Sequence, residues 1–200
     1  MPERGSMLPV LPRLWKIGVL DSGIAPSAVF LSASRSFLPN DHNTTDELGH
    51  ATICLRALDG ALGMYGVPHA RVRLFCAKVL SSVPDTDSTR SVSRGLLWLA
   101  MMGVDVIAAP LSVAYDCPWI RRAVHYATSR GVRIVAAAGV RQAQLAFPAA
   151  YPGVIAVQGY DGASQDPKVH REVACDDSRA VMYYVAGHLA SNGAADYLAR

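Results

Sequence analysis

Five short apolar runs, at residues 17–20, 72–80, 104–109, 132–138 and 154–157, constrain this chain more than any other feature. They are too short for buried helices and suit strands covered on both faces. Three segments with helical periodicity lie between them. Over residues 50–65, Ile53, Ala57, Leu58, Ala61 and Leu62 share one face, and Gly66-Val67-Pro68 stops the pattern. Over 91–102, with Ser91 as the cap, Val92, Leu96, Leu99 and Ala100 point inward. Over 119–130, Ile120, Ala123, Val124 and Ala127 form the apolar side; Pro118 suits the first helical position and Gly131 ends the element. Strands alternating with amphipathic helices predict βαβ units, hence an α/β fold of three layers, α/β/α, around a mainly parallel sheet. Sites in such sheets lie at the carboxyl ends of the strands.

Two hundred residues, 51% hydrophobic and 18% charged, can bury a sizeable core and are expected to form a single domain over 1–200, with 1–15 as an N-terminal arm. The formal charge is only +3 and Lys and Arg are scattered, which argues against a nucleic-acid partner. No run approaches the roughly 18 apolar residues of a membrane span, so no membrane partner is expected. Met1 to Ser6 lacks the apolar core of a secretion signal. Cys54, Cys76, Cys117 and Cys175 are widely spaced with no C-x-x-C pair, and most sit in apolar surroundings as expected of buried free thiols. The expected location is cytoplasmic. No carboxylate cluster has calcium-ligand spacing, so neither a metal nor a cofactor is expected. The connection 24–47, with Pro26, Pro39 and a polar run at 40–45, is long enough to be expected as a functional loop.

The first apolar run ends in chemistry: Lys16-Ile17-Gly18-Val19-Leu20-Asp21-Ser22-Gly23-Ile24 delivers a carboxylate at the end of a buried strand, and Ser-Gly then turns the chain. A buried carboxylate is costly unless paired. Asp46-Glu47-Leu48-Gly49-His50-Ala51-Thr52 supplies a candidate partner, with His50 opening a helix behind a glycine. On these residues alone, His50 reads equally well as a catalytic base or as a helix-cap histidine. Asp21 could orient that base or satisfy turn amides.

These two stretches resemble the D[ST]G and D-x-x-GHGT motifs of subtilisin-like serine proteases. Four more segments resemble the family in the same order: Gly66-Val67-Pro68 to Lys78-Val79-Leu80, Gly103 to Ile107, Gly131 to Gly139, and Phe147 to Val157. The resemblance implies an Asp-His-Ser triad in which Asp21 orients His50 and His50 activates a serine. The family's serine motif does not occur; Ser191, followed by Asn192-Gly193-Ala194-Ala195, matches it best, although a plain helix N-cap fits there too. The implied oxyanion donors are the Ser191 backbone and either Gln142 or Gln144, because the family's asparagine is Val140 here and valine cannot donate. Losing one such donor costs about 10²–10³ in rate in subtilisins, so a slow enzyme is expected. Leu111, Ser112, Val113, Ala137, Ala138 and Gly139 are the implied substrate-binding segments, pairing with an extended peptide, although 136–138 also fit a packed strand core. The resemblance implies a serine endopeptidase acting on a peptide or protein substrate. The small size and unusual serine segment are similar to those of the leader-removing proteases of quinohemoprotein amine dehydrogenase maturation, and point to a specific maturation enzyme. The other reading is a catalytically impaired pseudoprotease that keeps the groove as a peptide-binding module.

Overall fold

The computed structural model describes residues 13–25, 30–82, 88–138, 146–160, 170–174 and 181–186. Its elements, in order, are β1 (Trp15–Asp21), β2 (Leu31–Ser36), α1 (His50–Met64), β3 (Val72–Lys78), α2 (Ser88–Met101), β4 (Val106–Ala109), α3 (Pro118–Ser129), β5 (Arg133–Ala137), β6 (Val154–Tyr160), β7 (His170–Ala174) and β8 (Val181–Ala186). Among these residues all strands join one sheet in the order β2-β3-β1-β4-β5-β6-β8-β7. Every neighbouring pair is parallel except β7 with β8. The expected α/β class with a mainly parallel sheet is what the chain adopts.

The helices divide between the faces. Leu20, Ala77, Val79, Ile107, Ala109, Ile134 and Ala136 pack with α2 and α3 through Val92, Leu96, Leu99, Ile120, Ala123 and Val124. On the other face Ile17, Val19, Val72, Leu74 and Cys76 pack against Leu55, Leu58 and Leu62 of α1. The period of two along β1 therefore sends Leu20 to the α2/α3 side and aligns Ile17, Val19 and Asp21 on the α1 side.

The expected helices and the five expected strands all form, with ends displaced by a few residues. Three details differ. The connection 24–47 is not one loop: it contains β2, an edge strand whose sequence Leu-Ser-Ala-Ser-Arg-Ser has no fully buried residue and so carries no apolar run. Ser91 does not cap α2, which starts at Ser88; it is buried inside the helix and its hydroxyl donates to the Phe37 carbonyl at 3.0 Å. Beyond residue 157, β7 and β8 extend the sheet.

Candidate active site

The strand end and the helix start meet where the two motifs predict. Asp21 is the last residue of β1 and fully buried. Its Oδ1 lies 2.5 Å from His50 Nδ1 and accepts the Ser22 N–H at 2.6 Å. The Asp21 carbonyl accepts the Val79 N–H at 2.7 Å, which ties the strand end to the residue after β3. His50 is the first residue of α1, behind Gly49 with φ at 76°. A side chain at Gly49 would meet nothing within 4 Å, so the glycine is needed for its left-handed backbone and not for space. A carboxylate bound to Nδ1 fixes the ring orientation and stabilises an imidazolium.

The start of α1 has no side-chain cap from its own N-cap residue. Two side chains from upstream replace it. Asp46 Oδ1 accepts the Gly49 N–H at 2.9 Å, and its Oδ2 accepts the Thr52 N–H at 2.7 Å and the Thr52 hydroxyl at 2.6 Å. Ser22 Oγ accepts the Ala51 N–H at 3.1 Å and donates to Asp46 Oδ1 at 2.7 Å. Partial burial works to raise the Asp46 carboxyl pKa, but the hydrogen bonds from Thr52, Ser22 and Gly49 outweigh it and hold the group below its ordinary value.

Lys78 ends β3 on the same face and is only 1% exposed. Its ammonium sits 3.0 Å from Asp41 Oδ2 and 3.6 Å from Glu47 Oε2, in the connection leading to α1. A buried ammonium needs such partners. Burial opposes ionisation of Asp41, yet Lys78 and the Asn43 N–H keep its carboxyl below the usual range. Cys54, one turn after His50, places Sγ 4.0 Å from His50 Nδ1. Burial, then the Asp21 charge, push its thiol pKa strongly upward. Cys76, whose thiol donates to the Gly23 carbonyl at 3.0 Å, is pushed up to about 12, chiefly by burial. Cys54, Cys76 and Cys117 are buried free thiols, as expected; Cys175 lies outside the described residues.

Asp21, His50 and Cys54 bring potential ligand atoms within 4.8 Å of one another. Their chemistry opposes a metal: Asp21 already holds His50, and ionising Cys54 would add a charge beside a buried carboxylate.

The remaining expected site residues divide. Leu111 is buried and Ser112 exposed, while Val113 exchanges both backbone hydrogen bonds with Phe147, at 2.7 and 2.9 Å. Ala137 and Ala138 are buried, and Ala138 donates to the Val157 carbonyl and accepts from Ala146. The packed-core reading of Ala137 and Ala138 therefore holds, and Val113 and Ala138 already have backbone partners. Gly139, Val140, Gln142, Gln144 and Ser191 lie outside the described residues. Asp46, Ser22, Lys78 and Cys54 had no assigned roles from sequence. A lysine inside an apolar strand, and an acid four residues before a helix-opening histidine, were the signals available. No described helix is long and apolar enough to cross a membrane.

Comparison with known proteins extends the motif matches. The model of the subtilase family, Peptidase_S8, matches residues 14–194. Subtilisin Savinase of Lederbergia lenta is 33% identical over 151 residues, covering 73% of this chain and 55% of that protein. Subtilisin DY of Bacillus licheniformis is 35% identical over 156 residues, covering 73% and 56%. An alkaline protease of Alkalihalobacillus alcalophilus is 34% identical over 152 residues, covering 73% and 39%. The chain thus spans about half or less of the length of these relatives. The solved structure of the prenylagaramide maturation protease PagA is similar with a TM-score of 0.49 at 18% identity, covering 75% of this chain and 55% of that one. A family pattern that runs through almost the whole sequence, including both motifs that meet at the sheet's carboxyl edge, places this protein in the subtilase family.

Proposed function

We propose that the protein is a serine endopeptidase in which Asp21 orients His50 and His50 activates Ser191 for attack on a peptide carbonyl. The observation that carries this reading is the 2.5 Å contact between a fully buried Asp21 and His50 Nδ1 at the carboxyl edge of a parallel sheet. In the reaction, Nε2 takes the Ser191 hydroxyl proton as the acyl-enzyme bond forms, then returns it to the leaving amine. Water repeats the cycle and releases the acyl product. The Ser191 amide, with Gln142 or Gln144, supplies oxyanion donors where Val140 cannot. A donor set of that kind fits slow, selective cleavage of one partner peptide, and removal of a leader is the substrate class proposed.

A fluorophosphonate probe followed by peptide mass spectrometry tests this. A single adduct on Ser191, abolished by His50→Ala, is the expected result. An unlabelled wild-type chain, under conditions that label a control serine protease, would replace the enzyme by the pseudoprotease reading. That alternative draws on Val140 and on Leu189-Ala190 standing where the family has Gly-Thr before its serine.

A further inference from the structure

We infer that Asp46 is a positioning residue of this site, clamping the turn that carries Asp21 to the helix end that carries His50; the inference rests on reading those two as the catalytic pair. Asp21 and His50 come from separate elements 29 residues apart, so their contact is only as well defined as the joint between those elements. Asp46 belongs to neither element and bonds to both. Its carboxylate takes four donors: the Ser22 hydroxyl on the β1 side, and the Gly49 N–H, the Thr52 N–H and the Thr52 hydroxyl on the α1 side, all at 2.6–2.9 Å. The bridge is doubled, because Ser22 Oγ also accepts the Ala51 N–H. The turn at residue 22 is therefore joined to the start of α1 directly, at Ala51, and through Asp46, at Gly49 and Thr52, immediately beside residues 21 and 50.

The backbone explains why Asp46 can reach. Its N–H donates to the Ile24 carbonyl at 3.1 Å, and the Ile24 N–H donates to the Thr44 carbonyl at 2.8 Å, so the segment before α1 runs along the turn. Gly23 makes that approach possible: with φ at 132°, a side chain there would stand 2.7 Å from the Thr45 carbonyl oxygen and 2.8 Å from the Asp46 nitrogen. From the other side, Lys78 holds Asp41 and Glu47, which flank Asp46 in sequence. Four charge-assisted hydrogen bonds on one carboxylate give it little freedom to move. Asp46 has no reacting atom to touch in this arrangement; it acts through the geometry of the pair. A displacement of about 1 Å at a reacting centre costs on the order of 10²-fold in rate.

The test reads the pair directly. In the ¹⁵N-histidine-labelled chain, the proton between His50 Nδ1 and Asp21 should resonate far downfield, and Asp21→Asn should abolish that signal. Asp46→Asn, which replaces one acceptor oxygen by a donor, should lose the signal or move it upfield. Fluorophosphonate labelling should slow by about 10–100-fold, while the amide spectrum away from the site stays that of the folded chain. A purely structural cap would lower the melting temperature without moving the His50 proton below melting. If Asp46→Asn fails to fold, Ser22→Ala takes its place: it removes the direct bridge and one of the four donors, should change the same signal in the same direction, and should be rescued by Ser22→Thr, which restores a hydroxyl. Folded variants with an unchanged His50 proton and unchanged labelling would overturn the inference while leaving the pair intact. An Asp21→Asn chain that keeps the wild-type signal would instead remove the catalytic pair, and the inference with it.

Discussion

Alternate residues of β1 look onto two different environments. Gly18 and Leu20 face α2 and α3, where the buried surface is built almost wholly from Leu, Ile, Val and Ala. Ile17, Val19 and Asp21 face α1, where the apolar layer gives way, toward the carboxyl edge, to Asp21, His50, Asp46, Lys78 and Cys54. The difference separates two jobs. Burial on the first face is non-directional and tolerant of how the layers approach. Hydrogen bonds and ion pairs on the second face are directional, and they fix where two particular side chains stand. One sheet can serve both because consecutive side chains of a strand never share a face.

Substitutions can break this comparison or sharpen it. Leu99→Ala, on the fully buried α2 surface, should have the largest effect on stability, about 2–5 kcal/mol by denaturant unfolding. Probe labelling of the fraction still folded should be unchanged; a specific loss of labelling would mean that the two faces are not separate. Gly95→Ala should cost less, about 1–3 kcal/mol. Its new methyl would stand 2.6 Å from Leu20 Cδ1 and 2.8 Å from Val79 Cγ1, so the face tests for overpacking as well as for cavities. A neutral result would show that α2 can shift on the sheet.

The smallest effect belongs to the polar face. Asp46→Asn should cost about 1 kcal/mol at neutral pH, the usual cost of a lost helix cap. Asp41, Asp46 and Asp105 are all held below their ordinary value of 3.8 despite burial, the last by the Lys16 N–H and the Arg13 guanidinium. Carboxyls lowered in the folded state stabilise it above their unfolded value, and that contribution is lost as pH falls through the lower folded values. Melting temperature should therefore drop below about pH 4, and Asp46→Asn should make that drop shallower. An unaltered acid limb would move the acid sensitivity to Asp41 and Asp105.

Much of this was legible in the sequence, and what was missed has a physical pattern. Apolar runs marked β1, β3, β4, β5 and β6 because strands buried on both faces carry little else. The same signal fails for β2, whose Ser-Ala-Ser-Arg-Ser stretch lies at the sheet edge and keeps no hidden face. Ser91 reads as a cap because serine often is one; in the fold its hydroxyl instead meets a carbonyl 54 residues away. The pair Asp21–His50 was legible from its two motifs. The clamp at Asp46 was not, since its partners Ser22, Gly49 and Thr52 are ordinary turn and helix-start residues until the chain brings them together.

By itself, then, the sequence determined the layer architecture, the helices and the identity of the two side chains that meet at the strand end, because local periodicity and short motifs encode them. The tertiary structure alone decided that Asp46 and Lys78 surround that meeting point, that Val113 spends its backbone on Phe147, and that Cys54 lies beneath His50. Those facts depend on residues far apart in the chain converging within hydrogen-bond distance, and no local pattern records a distance in space.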